Sequence, residues 1–270
     1  MRLTLIPSPF ALDQHRHSMG RAPESLLANG LRESLESDGH TATIVERELD
    51  LGPGTVLQRI GRNDAILARH VAAAHHAATL PVILGGDCLV SIGAVAGLRR
   101  ALDTDFGIAW FDAHGDFNTP DTTISGYLGG MPLACCCGRG LEILREAAGL
   151  ERPVNEANVI MLGIRDLDPP EKALLDQTPV RIFDPAGTPS FVPDNRPTYL
   201  HFDIDAMDPS LAPGVNYLTP NGLSMENALA AAQKIKPHLA AFALTAVDPE
   251  RDRDGQTVQT AIQLIRGILR

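Results

Sequence analysis

Short runs of consecutive apolar residues recur along this chain between clusters of turn formers, at positions 2–6, 43–45, 81–84, 106–111, 159–164, 180–183, 198–204 and 241–247. Unbroken apolarity over so few residues is the pattern of strands buried on both faces. Between them, segments 25–38, 64–78, 91–101 and 224–235 carry Ala and Leu at helical spacing. Strands alternating with helices predict an α/β fold: a mainly parallel sheet of about eight strands, covered by helices on both faces. No internal repeat, low-complexity tract or long linker divides the chain, so residues 1–270 are expected to form one domain.

In such sheets ligands bind beyond the carboxyl ends of the strands. Three predicted strand ends are polar in related ways. Gly85-Gly86-Asp87-Cys88 follows 81–84, Asp112-Ala113-His114-Gly115-Asp116 follows 106–111, and Asp203-Ile204-Asp205 closes 198–204. In extended backbone, alternate residues share a face, so Asp112, His114 and Asp116 would point together, as would Asp203 and Asp205. Carboxylates gathered in one pocket repel unless cations sit among them. An oxygen-rich set with one imidazole suits Mn²⁺ or Mg²⁺ better than structural Zn²⁺, and five or six ligands suit two ions rather than one. A lone Asp-x-Asp often closes a turn or caps a helix. Asp-x-His-x-Asp at one strand end paired with Asp-x-Asp at another makes a metal site the favoured reading. His70, His75 and His76 lie in an Ala-rich helical segment and read as surface or packing residues. Cys135, Cys136 and Cys137 read as small buried residues at a helix start. His201, on the strand leading to Asp203, reads as a packed core histidine, with a role behind the metals as the weaker alternative.

Composition narrows the partners. Lys plus Arg number 23 against 33 Asp plus Glu, a net charge of −10. That balance argues against a nucleic-acid or anionic-membrane partner, either of which needs a basic face. No apolar run approaches the roughly 18 residues of a membrane span. The first twelve residues, broken by two prolines, read as a strand and loop rather than a signal peptide. Four cysteines, three of them adjacent, form no disulfide framework, so a reducing cytoplasm is expected.

The three motifs resemble the signatures of the arginase/ureohydrolase family, GGDH, DAHxDxN and SxDxDxxDP, in the same order and nearly end to end. The resemblance implies a three-layer α/β/α fold and a binuclear site of two Mn²⁺ ions that activates water against a guanidinium carbon. It implies that Asp112 and Asp203 bridge the ions, that Cys88 and Asp116 complete one, and that His114 and Asp205 complete the other. DFNTPDTTISGYLGGMP parallels the arginase DINTPLTTTSGNLHGQP, placing Asn118, Thr123 and Ser125 where arginases hold the substrate α-carboxylate. GIRDLDPPE parallels GLRDVDPGE, placing Asp168 and Glu171 at the α-amino group. Neutral donors facing a carboxylate and carboxylates facing an ammonium make chemical sense. The implied substrate is a small, L-arginine-like amino acid. Arginases commonly associate through an extended C-terminal tail; this chain stops at Arg270 after one last helical segment, so a monomer is expected.

Three departures from the family pattern follow. Cys88 stands where GGDH supplies a histidine ligand. Gly129 stands where arginases carry a histidine assigned to proton transfer, a general-acid contribution of typically 10²–10⁴-fold. TAVDP replaces EVNP, so either Ala246 or Asp248 takes the place of the guanidinium-binding glutamate. Asp116 and Asp248 are the expected catalytic carboxylates. A thiolate remains a competent metal donor, which favours an active enzyme with an altered substrate. An N-hydroxylated guanidine is less basic and brings its own acidic proton. Its hydrolysis is therefore the leading expectation, ahead of ordinary arginase activity, Cys88 as a covalent nucleophile, or a catalytically silent metal-binding regulator.

Overall fold

The computed structural model describes residues 1–270. Eight strands form one wholly parallel sheet: β1 (Arg2–Ser8), β2 (Thr41–Ile44), β3 (Leu80–Gly85), β4 (Gly107–Phe111), β5 (Val159–Leu162), β6 (Arg181–Phe183), β7 (Thr198–Asp203) and β8 (Leu239–Thr245). Their order across the sheet is β2-β1-β3-β8-β7-β4-β5-β6. Each predicted strand is present, with its ends moved by at most two residues. The central four strands, β3, β8, β7 and β4, are buried on both faces, which is why their sequences run apolar without alternation.

Two apolar cores flank the sheet. On one face, Leu5, Leu84, Phe111, Phe202 and Leu244 pack against α1 (Ala22–Ala28), α2 (Leu31–Ser37), α8 (Met225–Ile235) and α9 (Gln256–Leu269). On the other, Ile83, Trp110, Tyr199 and Ala243 pack against α3 (Val56–His76), α4 (Val90–Ala101), α5 (Pro132–Cys136) and α6 (Glu142–Ala148). The result is the expected three-layer α/β/α stack. The short α7 (Pro169–Leu175) contributes Leu175 to the second core.

The helices depart from the periodicity in two places. The predicted helix 25–38 is two helices, broken at Asn29-Gly30, where Gly30 takes a φ of +84°. The apolar positions Leu26, Leu31 and Leu35 continue through the break, so spacing alone conceals it. The predicted helix 64–78 begins two turns earlier, where Thr55 and Gln58 form a reciprocal capping box. Cys135 and Cys136 are buried in α5, as expected of small core residues.

The turn after β3 is held closely. A Cβ on residue 86 would lie 2.0 Å from the Phe10 carbonyl oxygen, and the Gly86 carbonyl accepts the Ala246 amide at 2.7 Å. Only glycine fits there, and this packing fixes where Asp87 and Cys88 emerge. Gly86→Ala is expected to destabilise the protein by on the order of 1–3 kcal/mol, measured as a lowered midpoint in chemical denaturation.

Candidate metal centre

Four neighbouring strands end beside one another, and the residues leaving them form the site. β3 leads into Cys88, β4 into Asp112, β7 ends on Asp203, and β8, between β3 and β7, ends on Thr245 and feeds Ala246. The i, i+2, i+4 acids do not converge through strand alternation, as the spacing suggested. β4 stops at Phe111, and Asp112 Oδ1 then accepts the His114 amide at 2.8 Å in a tight turn. Asp116 sits in the left-handed region with φ +48°, which aspartate tolerates better than most residues. Its carbonyl accepts the amides of Leu133 and Ala134. Asp203 Oδ1 likewise accepts the Asp205 amide at 2.8 Å, starting a turn over 204–206.

Two overlapping donor groups result. The ligating atoms of Cys88, Asp112, His201 and Asp203 lie within 4.8 Å of one another, and so do those of Asp112, His114 and Asp205. Asp112 belongs to both. The Cys88 thiol donates to Asp203 Oδ2 at 2.9 Å, and His114 Nδ1 lies 3.1 Å from Asp205 Oδ2 and 3.3 Å from Asp112 Oδ1. Asp116 stands outside both tight groups, but its buried Oδ2 has no hydrogen-bond partner. Trp110 Nε1 donates to Asp112 Oδ2 and the Ala113 amide to Asp205 Oδ1, which aims these carboxylates.

The metal-free electrostatics are severe. Burial, reinforced by Asp205, pushes Asp112 up to about 7. Burial and then neighbouring acids raise Asp116 and Asp203 well above the carboxylate range. The Cys88 thiol is raised in the same way, by burial first and then by Asp203, Asp116 and Asp112. Burial disfavours a charged His114, but Asp112 and Asp205 outweigh it and push the imidazole up to about 12. His114 in turn holds Asp205 below its usual range despite the burial that opposes it. One imidazolium cannot neutralise four carboxylates. Two donor groups sharing a carboxylate, one orphaned buried oxygen and a mixed O, N and S donor set fit two divalent cations.

Beside this centre opens a cavity of about 340 Å³, lined also by Asn118, Thr123, Ser125, Asp168 and Glu171. Asn118 Nδ2 lies 3.4 Å from Asp168 Oδ2. Glu171 accepts the Phe117 amide at 2.8 Å, and burial raises its carboxyl to about 6. Its Oε1 lies 2.5 Å from where a Cβ on residue 115 would be. Gly115 in the Asp-x-His-Gly-Asp turn therefore admits Glu171 to the pocket.

The arginase family model matches residues 1–270. The chain belongs to the arginase family. It is 30% identical to the arginase of Schizosaccharomyces pombe over 99% of this chain and 90% of that protein. To the arginase of Bacillus subtilis it is 27% identical, over 99% of this chain and 97% of that protein. The solved structure of Bacillus subtilis arginase superposes with a TM-score of 0.89 at 27% identity, covering 100% of this chain and 98% of that one. The protein is thus an arginase-type hydrolase with a cluster of metal-binding character.

Against that family background the departures acquire geometry. Cys88 is inside the donor cluster. Asp248, one of the two candidates for the missing glutamate, does not reach the pocket. Its carboxylate accepts Ser18 Oγ from the N-terminal segment at 2.6 Å and the Glu250 amide of its own loop at 3.0 Å, and its expected catalytic role is withdrawn. Ala246 occupies the pocket wall instead, with φ +66°. A Cβ at position 129 would lie 2.3 Å from the Tyr127 ring, so a side chain there requires that ring to turn away. Tyr127 thus fills the space a histidine at 129 would need. With Tyr217, whose ring is 6.0 Å away, it forms an aromatic rim to the cavity. The sequence reading passed over both tyrosines, although GYLGG against the arginase GNLHG shows Tyr127 replacing Asn two residues before the lost histidine. No helix is long and apolar enough to cross a membrane.

Asp112, Asp116, Asp203 and His114 all bind protons more tightly in the folded metal-free protein than in the unfolded chain, and the lowered Asp205 opposes them only in part. The native state therefore holds more protons, and unfolding free energy falls as pH rises. Metal-free protein is expected to lose thermal stability from about pH 4 upward through pH 7, while saturating Mn²⁺, which binds the deprotonated ligands, abolishes the decline. Melting curves with chelator and with Mn²⁺ across that range check this.

Proposed function

We propose that this protein hydrolyses the hydroxyguanidino group of Nω-hydroxy-L-arginine, giving L-ornithine and hydroxyurea. The observation that carries the reading is Tyr127 occupying the space of the absent histidine at 129, while the pocket beyond it keeps Asn118, Thr123, Ser125, Asp168 and Glu171. An α-amino acid is still recognised, but the imidazole that would help the amine depart is replaced by a phenol. Burial keeps that phenol from ionising, its acidity pushed down far beyond the ordinary range.

In this reading Asn118, Thr123 and Ser125 hold the α-carboxylate, and Asp168 with Glu171 the α-ammonium. Cys88, Asp112, Asp116, Asp203, His114 and Asp205 would hold two divalent cations, and the carboxylate-rich share of that set favours Mn²⁺. When bound, the cations polarise water and the guanidino group and neutralise charge developing in the transition state. The water oxygen bonds to the guanidino carbon, and the bond from that carbon to the chain nitrogen breaks. Asp116 Oδ2, buried and otherwise unpartnered, takes the water proton and returns it to the departing ornithine nitrogen. The hydroxyl on the substrate withdraws electrons, so the carbon accepts attack without the missing acid. The same two substitutions, at 88 and 129, mark the Nω-hydroxy-L-arginine amidinohydrolase associated with D-cycloserine biosynthesis, which this chain resembles. Ordinary arginase activity is the second reading, supported by relatives that are named arginases.

Ornithine release by the Mn²⁺-loaded protein, with L-arginine and Nω-hydroxy-L-arginine offered in parallel, separates the two. Turnover of the hydroxylated substrate is expected to exceed that of L-arginine by about 10²-fold or more, the scale of a lost general acid; equal or faster L-arginine turnover contradicts the reading. Gly129→His alone is expected to gain little arginase activity, because the new side chain must first displace the Tyr127 ring. Gly129→His with Tyr127→Asn is expected to raise it.

A further inference from the structure

His201 is the polar side chain beneath the centre that the proposed reaction leaves without a task. It is fully buried, and its ring stacks on Trp110 at 3.7 Å and 18°, its neighbour across β4 and β7. The hydrogen bonds of the ring all go to hydroxyls. Nδ1 lies 2.9 Å from Ser91 Oγ and 3.3 Å from the Tyr199 hydroxyl. Nε2 lies 3.4 Å from Thr245 Oγ1, and Thr245 Oγ1 lies 3.4 Å from Cys88 Sγ. The Tyr199 hydroxyl is in turn 2.9 Å from Ser91 Oγ. Tyr199, Ser91, His201, Thr245 and Cys88 thus form one buried chain of polar contacts running from the core to the donor cluster.

A thiolate accepts but cannot donate, and that sets the direction of the hydrogen bonds nearest the sulfur. Thr245 O–H then points at sulfur, which leaves Thr245 Oγ1 to accept from His201 Nε2–H at 3.4 Å. A neutral ring protonated at Nε2 accepts at Nδ1, either from Ser91 with Tyr199 donating to Ser91 or from Tyr199 with Ser91 donating to Tyr199. His201 and Thr245 then each receive one hydrogen bond and give one, and the chain ends on the sulfur. In the metal-free protein the thiol proton goes to Asp203 Oδ2 instead. Its release on metal binding frees both Asp203 and the sulfur.

We propose that His201 is a positioning residue for the thiolate: acting through Thr245, it directs a hydrogen bond onto the Cys88 sulfur. That bond draws charge from the sulfur, offsetting the extra negative charge a thiolate brings where the family has an imidazole, and it fixes the lone pair that faces the cation. The inference rests on the reading that Cys88 ligates a metal ion.

Co²⁺ bound in place of Mn²⁺ reports on the sulfur directly, through sulfur-to-metal charge-transfer absorption and through affinity measured by titration. In the Co²⁺-loaded protein, Thr245→Val and His201→Leu are expected to move that absorption to lower energy and to weaken Co²⁺ binding by about 10–100-fold. Thr245→Ser, which keeps the hydroxyl, is expected to match the wild type. Thr245→Val is nearly isosteric and carries the test alone if His201→Leu fails to fold. A charge-transfer band unmoved by Thr245→Val overturns the inference while leaving the metal reading intact. No sulfur band in the wild type overturns the metal reading itself.

Discussion

Mutual repulsion among four buried carboxylates governs this protein. Asp112, Asp116, Asp203 and Asp205 are all at most 7% exposed, at the mouths of neighbouring strands, with a thiol among them. In a metal-free protein the repulsion is relieved only by protons: extra ones on the acids and one on His114. Two divalent cations would relieve it without protons, through the same oxygens. The chemistry and the stability of the molecule therefore share one determinant, the charge that occupies this cluster.

The rest of the fold serves to hold that charge still. A parallel sheet with helices on both faces aligns the carboxyl ends of β3, β8, β7 and β4 along one edge, so residues far apart in sequence meet without long side chains. Turns then do the fine aiming: Asp112 and Asp203 each accept the amide two residues ahead, and Asp116 bends back in a left-handed conformation. Beneath the carboxylates lies a layer of Trp110, His201 and Tyr199, polar at its tips and fully buried. Trp110 donates to Asp112, and His201 reaches Cys88 only by way of Thr245, the contact on which its proposed positioning role depends.

Much of this was legible in the sequence because burial on both faces leaves a simple mark. Continuous apolar runs located all eight strands, and polar residues just after three of them located the site. What was not legible depended on backbone geometry. The split at Gly30 was hidden because apolar spacing runs through it, and the capping box at Thr55 and Gln58 lies outside the apolar stripe it begins. Extended-strand reasoning gave Asp112, His114 and Asp116 a common face, but a tight turn brings them together instead. The ambiguity between Ala246 and Asp248 was one of register, and only the Ser18 hydrogen bond and the pocket wall resolve it. Tyr127 was missed because a glycine in place of histidine reads as a loss, whereas the space had been filled from two residues away.

The central claim is that this cluster is a binuclear metal centre with a cysteine among its ligands. Anomalous X-ray diffraction from Mn²⁺-soaked crystals tests it most directly. The account predicts two manganese peaks about 3.5–4 Å apart, one bonded to Cys88 Sγ and Asp203 and the other to His114 and Asp205, with Asp112 between them. A single peak, or two peaks neither of which bonds the Cys88 sulfur, would contradict it.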